Sequence, residues 1–173
     1  MKSKFLLLTV LAIVVFVSAT PVRAETLIPP SSNPNAQVGR VESFERVTWD
    51  KASLIDGYST LATGCKTYTL GVNGYSAVGI NIWSYAWNIK WCYNGTSITS
   101  LSKWRTVWAN YGWSFKGDIS DDQSGGVNQS SYWHYAQGDF CFIETYTCIT
   151  HSYPWVDQTV YGSGNYSGSA GGN

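Results

Sequence analysis

The sequence predicts an all-β protein: an antiparallel two-sheet β-sandwich, with a small β-barrel as the alternative closure, stabilised by disulfides. Three observations predict it. Apolar and polar residues alternate with period two through much of the interior, the pattern of half-buried strands. Two Asn-Gly pairs, Asn73-Gly74 and Asn94-Gly95, mark hairpin turns, since both residues tolerate the positive φ that a tight turn requires. Aromatic residues make up 16% of the chain and charged residues only 13%. Rings pack well on pleated surfaces, and no segment combines helical spacing with helix caps.

Residues 1–24 have the form of a secretory signal peptide. Lys2 and Lys4 precede an apolar run from Phe5 to Val17, broken only by Thr9, and Val22 and Ala24 supply a cleavage site. The run is shorter than the about 20 residues a membrane span needs, so the mature chain is expected to be secreted and extracellular. Residues 25–39, with Pro29, Pro30 and Pro34, read as a flexible lead-in. A single β domain is expected over 40–162, followed by a Gly/Ser-rich flexible tail over 163–173.

Within the domain, residues 40–49 (RVESFERVTW) place Val41, Val47 and Trp49 on one side and read as an edge strand. Residues 51–63 have room for one short helical turn. Residues 65–70 and 75–80 read as strands flanking a turn at Val72-Asn73-Gly74. The segment 81–95 (NIWSYAWNIKWCYNG) reads as a strand whose Trp83, Tyr85, Trp87, Ile89, Trp91 and Tyr93 face the core, with Ser84, Ala86, Asn88 and Lys90 facing out. A two-residue turn at Asn94-Gly95 pairs Trp91 with Ile98 and Tyr85 with Trp104. Residues 104–117 (WRTVWANYGWSFKG) read as one strand, with Trp108 on its polar side. Residues 117–126 (GDISDDQSGG) read as a loop. Residues 131–150 are mostly strand-like, and 155–161 (WVDQTVY) make a last strand.

Four cysteines in an exported chain imply two disulfides. Three connectivities are open; pairing nearest neighbours gives Cys65–Cys92 and Cys141–Cys148. Zinc is disfavoured, because the tight Cys pairs of a structural zinc site are missing. Loss of Lys2, Lys4 and Arg23 with the signal leaves eight basic against eleven acidic residues, a net charge of −3. That balance lacks the basic footprint of a nucleic-acid-binding protein and the polybasic patch that anionic lipid attracts.

The chain carries no nucleotide motif and no nucleophile elbow, and no cofactor is expected. Its two histidines, His134 and His151, have no partner named by the sequence. Asp139 and Glu144 straddle Cys141 and form the one carboxylate pair weighed for glycoside hydrolysis, which needs two such groups across a cleft. Asp118, Asp121 and Asp122 cluster in 117–126 as weak Ca²⁺ candidates, without the spacing of an EF-hand. Asn94, Asn128 and Asn165 head glycosylation sequons. Trp108, Trp133 and Trp155 are expected outside the core, as candidates for stacking on a ligand.

KWCYNGTSIT (90–99) and SYPWV (152–156) resemble a group of small exported bacterial proteins of unknown function. These share a signal peptide, a W-C-Y-N-G hairpin, a Gly-rich middle and a Y-P-W near the end. The resemblance implies a bacterial, β-rich extracellular domain and transfers no active site. Three functional expectations follow, in order of preference: a non-catalytic β domain binding glycan or cell-wall polymer, a surface or assembly subunit, and a secreted hydrolase.

Overall fold

A computed structural model describes residues 33–50 and 64–173. The expected signal peptide, most of the lead-in and the expected helical turn at 51–63 lie outside the described residues. Nine strands and no helix occur among them: β1 Val38–Trp49, β2 Gly64–Ser76, β3 Asn81–Tyr93, β4 Ile98–Ala109, β5 Trp113–Gly125, β6 Ser131–Glu144, β7 Thr147–Ser152, β8 Trp155–Tyr161 and β9 Tyr166–Gly171. The first four form one antiparallel meander in the order β1-β2-β3-β4, hereafter sheet A. Sheet B has the order β5-β6-β8-β9, and β7 pairs with the far end of β6 beyond β8. The two sheets pack face to face without closing into a barrel.

The core is the space between them, and β3 is its main wall. Trp83, Tyr85, Ile89 and Trp91 are fully buried, and Trp87 and Tyr93 nearly so, as the alternation predicts. Opposite β3 on β2 stand Tyr68, Leu70 and Val72. Sheet B answers with Phe140, Ala136, Val156 and Val160. Trp83 stacks on Phe140 at 5.2 Å between ring centroids, and Trp87 meets His134 edge-on at 4.6 Å. Burying a side chain of this size contributes on the order of 1.5–3 kcal/mol. Both disulfides form the nearest-neighbour pairs, Cys65–Cys92 and Cys141–Cys148. They suit a non-reducing compartment.

Four local expectations are corrected. Asn73-Gly74 is not a turn: β2 continues through it, with a register shift against β3 between Gly74 and Tyr75, and the chain reverses at Ala77–Ile80 with Gly79 at φ +83°. Gly74 is there for contact, since a Cβ on it would lie 2.1 Å from the Trp83 indole. Residues 104–117 are not one strand. The chain turns at Asn110-Tyr111-Gly112, where Tyr111 and Gly112 take positive φ, and crosses from sheet A to sheet B. The segment 117–126 is not a loop but most of β5. The tail is not free: Tyr166–Gly171 forms β9 on the edge of sheet B, paired with β8. Its small residues fit there because Gly168 sits against the Tyr68 hydroxyl and a backbone carbonyl, where a Cβ would clash. At the other end, Ala36 of the lead-in is buried in the core, and the Asn35 carbonyl accepts a hydrogen bond from Trp113 Nε1 at 2.7 Å.

The Asn94-Gly95 hairpin exists with a different register. Asn94 Oδ1 accepts hydrogen bonds from the backbone N–H of Thr96 and Ser97, which opens the loop to Asn94–Ser97. Only Gly95 takes positive φ there, and its N–H donates to Gly162 O at the end of β8. Trp91 therefore pairs with Leu101 instead of Ile98, and Tyr85 with Val107 instead of Trp104. A shift by an odd number of residues exchanges the two faces of a strand, and it decides where the tryptophans of β4 point.

Candidate functional site

Cross-strand partners share a face, so the register reads out the outer surface of sheet A row by row. One row runs Glu42, Asn73, Ser84, Trp108; the next Phe44, Gly71, Ala86, Thr106; the third Arg46, Thr69, Asn88, Trp104. Small residues form the middle of this surface. Along one side, Trp104 and Trp108 of β4 stand on either side of Thr106, with 44% and 45% of their surface exposed. On the other side the Phe44 ring lies over Gly71, so close that a Cβ at Gly71 would meet it at 2.6 Å. Asn88 fixes the floor beneath Trp104: its amide nitrogen donates to Trp104 O and Thr106 Oγ1, and its oxygen accepts from Thr69 Oγ1 at 2.7 Å. The result is a shallow strip of exposed indole beside hydroxyl, amide and carboxylate groups.

The three tryptophans expected outside the core do not meet. Trp108 is on sheet A. Trp133 and Trp155 are half-buried on the outer face of sheet B, at the other side of the molecule. Trp133 Nε1 donates to Asp157 Oδ1 at 2.8 Å, and Trp155 packs on Gly171 beside a pocket of about 270 Å³ shared with Gln137, Tyr153 and Asn173. Trp104 joins the site only once the register is known.

The carboxylates weighed for calcium are likewise separated. Asp122 faces out beside Tyr135 and accepts from Ser120 Oγ, whereas Asp118 and Asp121 are taken up by cations at the seam between the sheets. That seam was not visible in the sequence. The inward parity of the edge strand β4 carries Lys103 and Arg105, which reach across to β5: Lys103 Nζ lies 2.5 Å from Asp121, and Arg105 pairs with Asp118. Asp118 also accepts from the Tyr85 hydroxyl, and Lys103 lies 5.0 Å from the Trp87 ring centroid. A groove of about 570 Å³ opens beside it between Lys103, Gln123, Gly126 and Tyr132.

His134, fully buried, points its Nε2 at Asp121 Oδ1, 3.0 Å away. Burial, aided by the Lys103 charge, lowers its pKa below that of a free histidine, against the opposing pull of Asp121. Its neutral ring carries the hydrogen on Nε2, because the carboxylate only accepts. Partial burial works to raise the pKa of Asp121, but the hydrogen bonds from Lys103 and His134 and the Lys103 charge outweigh it and hold it below the ordinary range. Tyr132, partly buried with its hydroxyl on Gln123, is pushed up to about 12. These groups are partnered within the fold, as befits a structural network.

The remaining titratable candidates lie around the β6–β7 hairpin. Asp139 Oδ1 is 2.7 Å from His151 Nδ1, so this carboxylate is engaged by an imidazole. Glu144 ends β6 at the hairpin turn. Of the sequon residues, Asn94 caps its loop, Asn128 sits in a loop at φ +66°, and Asn165 is exposed between β8 and β9. Comparison with family profiles, characterised proteins and solved structures finds nothing that matches this chain.

Proposed function

We propose that this chain is a secreted β-sandwich domain that holds a glycan or cell-wall polymer, without catalysis at that face, against the outer face of sheet A. The observation that carries the reading is the pair of half-exposed indoles, Trp104 and Trp108, on one face of β4 beside a floor of small and polar residues. An indole offers a large apolar surface to the C–H face of a sugar at little entropic cost. Glu42, Asn73, Ser84 and Thr106 lie within the same rows to take hydroxyl groups. An open strip suits an extended polymer better than a small molecule, which favours an enclosing pocket.

Two observations weigh against the competing readings. Assembly through strand addition needs a bare edge. On sheet A, β1 bears Arg40, Glu42, Glu45 and Arg46, and β4 turns Lys103 and Arg105 inward, both devices that discourage pairing at the edges of that sheet. Hydrolysis needs a free acid and base across a cleft, whereas Asp139 is hydrogen-bonded to His151 and His134 is sealed in the core.

Calorimetric titration of the folded mature protein against soluble polysaccharides and cell-wall fragments tests the reading. Trp104→Ala and Trp108→Ala should each weaken binding roughly tenfold or more, about 1.4 kcal/mol, while Trp133→Ala leaves it unchanged. Loss of binding confined to Trp133 or Trp155 variants would move the site to sheet B. No binding by the wild type across a broad panel would end the glycan reading.

A further inference from the structure

The two disulfides sit in different chemical surroundings. Cys65 and Cys92 are direct cross-strand partners inside sheet A, and neither histidine of the chain contacts them: His134 is held on Asp121, and His151 belongs to the other disulfide. Cys141 and Cys148 clip the β6–β7 hairpin. There His151 Nε2 lies 3.1 Å from Cys148 Sγ. The opposite nitrogen of the same ring, Nδ1, is 2.7 Å from Asp139 Oδ1. Tyr153 stacks parallel to the imidazole at 5.7 Å and fixes its plane. The side chain of His151 is 41% exposed and Cys148 is partly exposed, whereas Cys141 is buried.

This is a sulfur–imidazole–carboxylate line. An imidazolium beside a cysteine stabilises the thiolate, which is both the nucleophile and the better leaving group in thiol–disulfide exchange. A carboxylate on the far nitrogen orients the ring and supports its positive charge. One accessible sulfur next to the imidazole and one buried sulfur behind it divide the two roles that exchange requires.

We propose that Cys141–Cys148 is a redox-active disulfide that oxidises exposed dithiols, with Cys148 as the attacked and transferring sulfur, Cys141 as the buried partner, His151 as the group that stabilises Cys148 thiolate, and Asp139 as a positioning residue. A substrate thiolate attacks Cys148 Sγ; the S–S bond breaks and its electron pair goes to Cys141 Sγ, which takes up a proton. The second substrate thiolate attacks the substrate sulfur of the mixed disulfide. Cys148 leaves as thiolate beside His151 and is then protonated. Two electrons pass from the substrate dithiol to the protein, the two substrate thiol protons end on Cys141 and Cys148, and the substrate leaves as a disulfide. Reoxidation requires a disulfide of the surrounding medium, which runs the same steps backwards.

The test treats the folded full-length mature protein with limiting dithiothreitol, quenches by alkylation at intervals, and maps the two cysteine pairs by mass spectrometry. Cys141–Cys148 should open at least about tenfold faster than Cys65–Cys92. In the reduced protein, His151→Gln should slow iodoacetamide alkylation of Cys148 at neutral pH by roughly tenfold, and Asp139→Asn should shift the pH profile of that alkylation by a smaller amount. Circular dichroism identical to wild type shows that the variants fold. Equal opening of the two disulfides, or Cys148 alkylation and its pH profile unchanged by His151→Gln, would overturn the proposal.

Discussion

β3 and β4 are neighbours, both rich in tryptophan, and they use it in opposite ways. On β3, Trp83, Trp87 and Trp91 recur every fourth residue and point into the core. On β4, Trp104 and Trp108 have the same spacing and point to the solvent. The spacing of the tryptophans is the same, so it does not explain the difference. What separates them is which residues share the stripe. The β3 stripe is completed by Tyr85, Ile89 and Tyr93, all apolar in bulk, whereas Trp104 and Trp108 share their face with Ser100, Ser102 and Thr106. The inward face of β4 instead bears Lys103 and Arg105, which a core accepts only at its rim, where Asp121 and Asp118 meet them.

The sharpest way to break this contrast is to truncate one member of each set. Trp83→Ala, deleting a fully buried indole that stacks on Phe140, should cost about 3–5 kcal/mol, read as a fall of roughly 10–20 °C in the melting midpoint. A shift of only a degree or two would mean that the β3 stripe is not the core wall. Next in size, Gly74→Ala tests the fit beneath the same indole. A Cβ 2.1 Å from its ring must displace the ring or the strand, at about 1–3 kcal/mol in denaturant titrations.

A smaller effect concerns pH at the rim. The pKa of His134 is lowered by folding, so the unfolded chain binds a proton more readily. Stability is complete above the unfolded value of about 6.5 and is lost as pH falls from there through the folded value. Replacing His134 by Leu should flatten this part of the stability–pH curve. Asp121, also lowered, adds a second loss only at more acid pH, below its ordinary value of 3.8. An unchanged curve in the Leu variant would assign the acid loss to other groups. Smallest of all, Trp104→Ala and Trp108→Ala should leave stability within about 0.5 kcal/mol, while each weakens the proposed polymer binding roughly tenfold. A large loss of stability from either would make β4 a second core face.

Much of the fold was legible in the chain. WVDQTVY gave β8 with its observed bounds, the β3 stripe declared its buried side, and short sequence separation gave both disulfides. The failures have a common physical source. Gly in a strand serves either to turn or to let another group approach, and Gly74 serves the approach of Trp83, which no local pattern reveals. The hairpin register depended on Asn94 spending its side chain on two amides and on Gly95 bonding Gly162 from a distant strand. Trp104 could not be placed on the candidate site until that was known. The C-terminal Gly/Ser run looked incapable of burial, yet an edge strand over Tyr68 needs small residues. For the hairpin disulfide, the spacing of Cys148 and His151 was visible, but Asp139 joins them only through the pairing of β6 with β7.

The division of the sheets along the chain has a consequence for how the protein is made. Sheet A is complete at Ala109, and sheet B begins at Trp113. A polypeptide emerging from its N-terminus, through a ribosome or a membrane channel, therefore presents the whole aromatic wall of β3 before any residue that covers it has appeared. The vulnerable interval lasts until β6 and β8 arrive with Phe140, Val156 and Val160. In that interval the half-made protein is the species prone to aggregation, and its survival depends on how quickly the second meander follows the first.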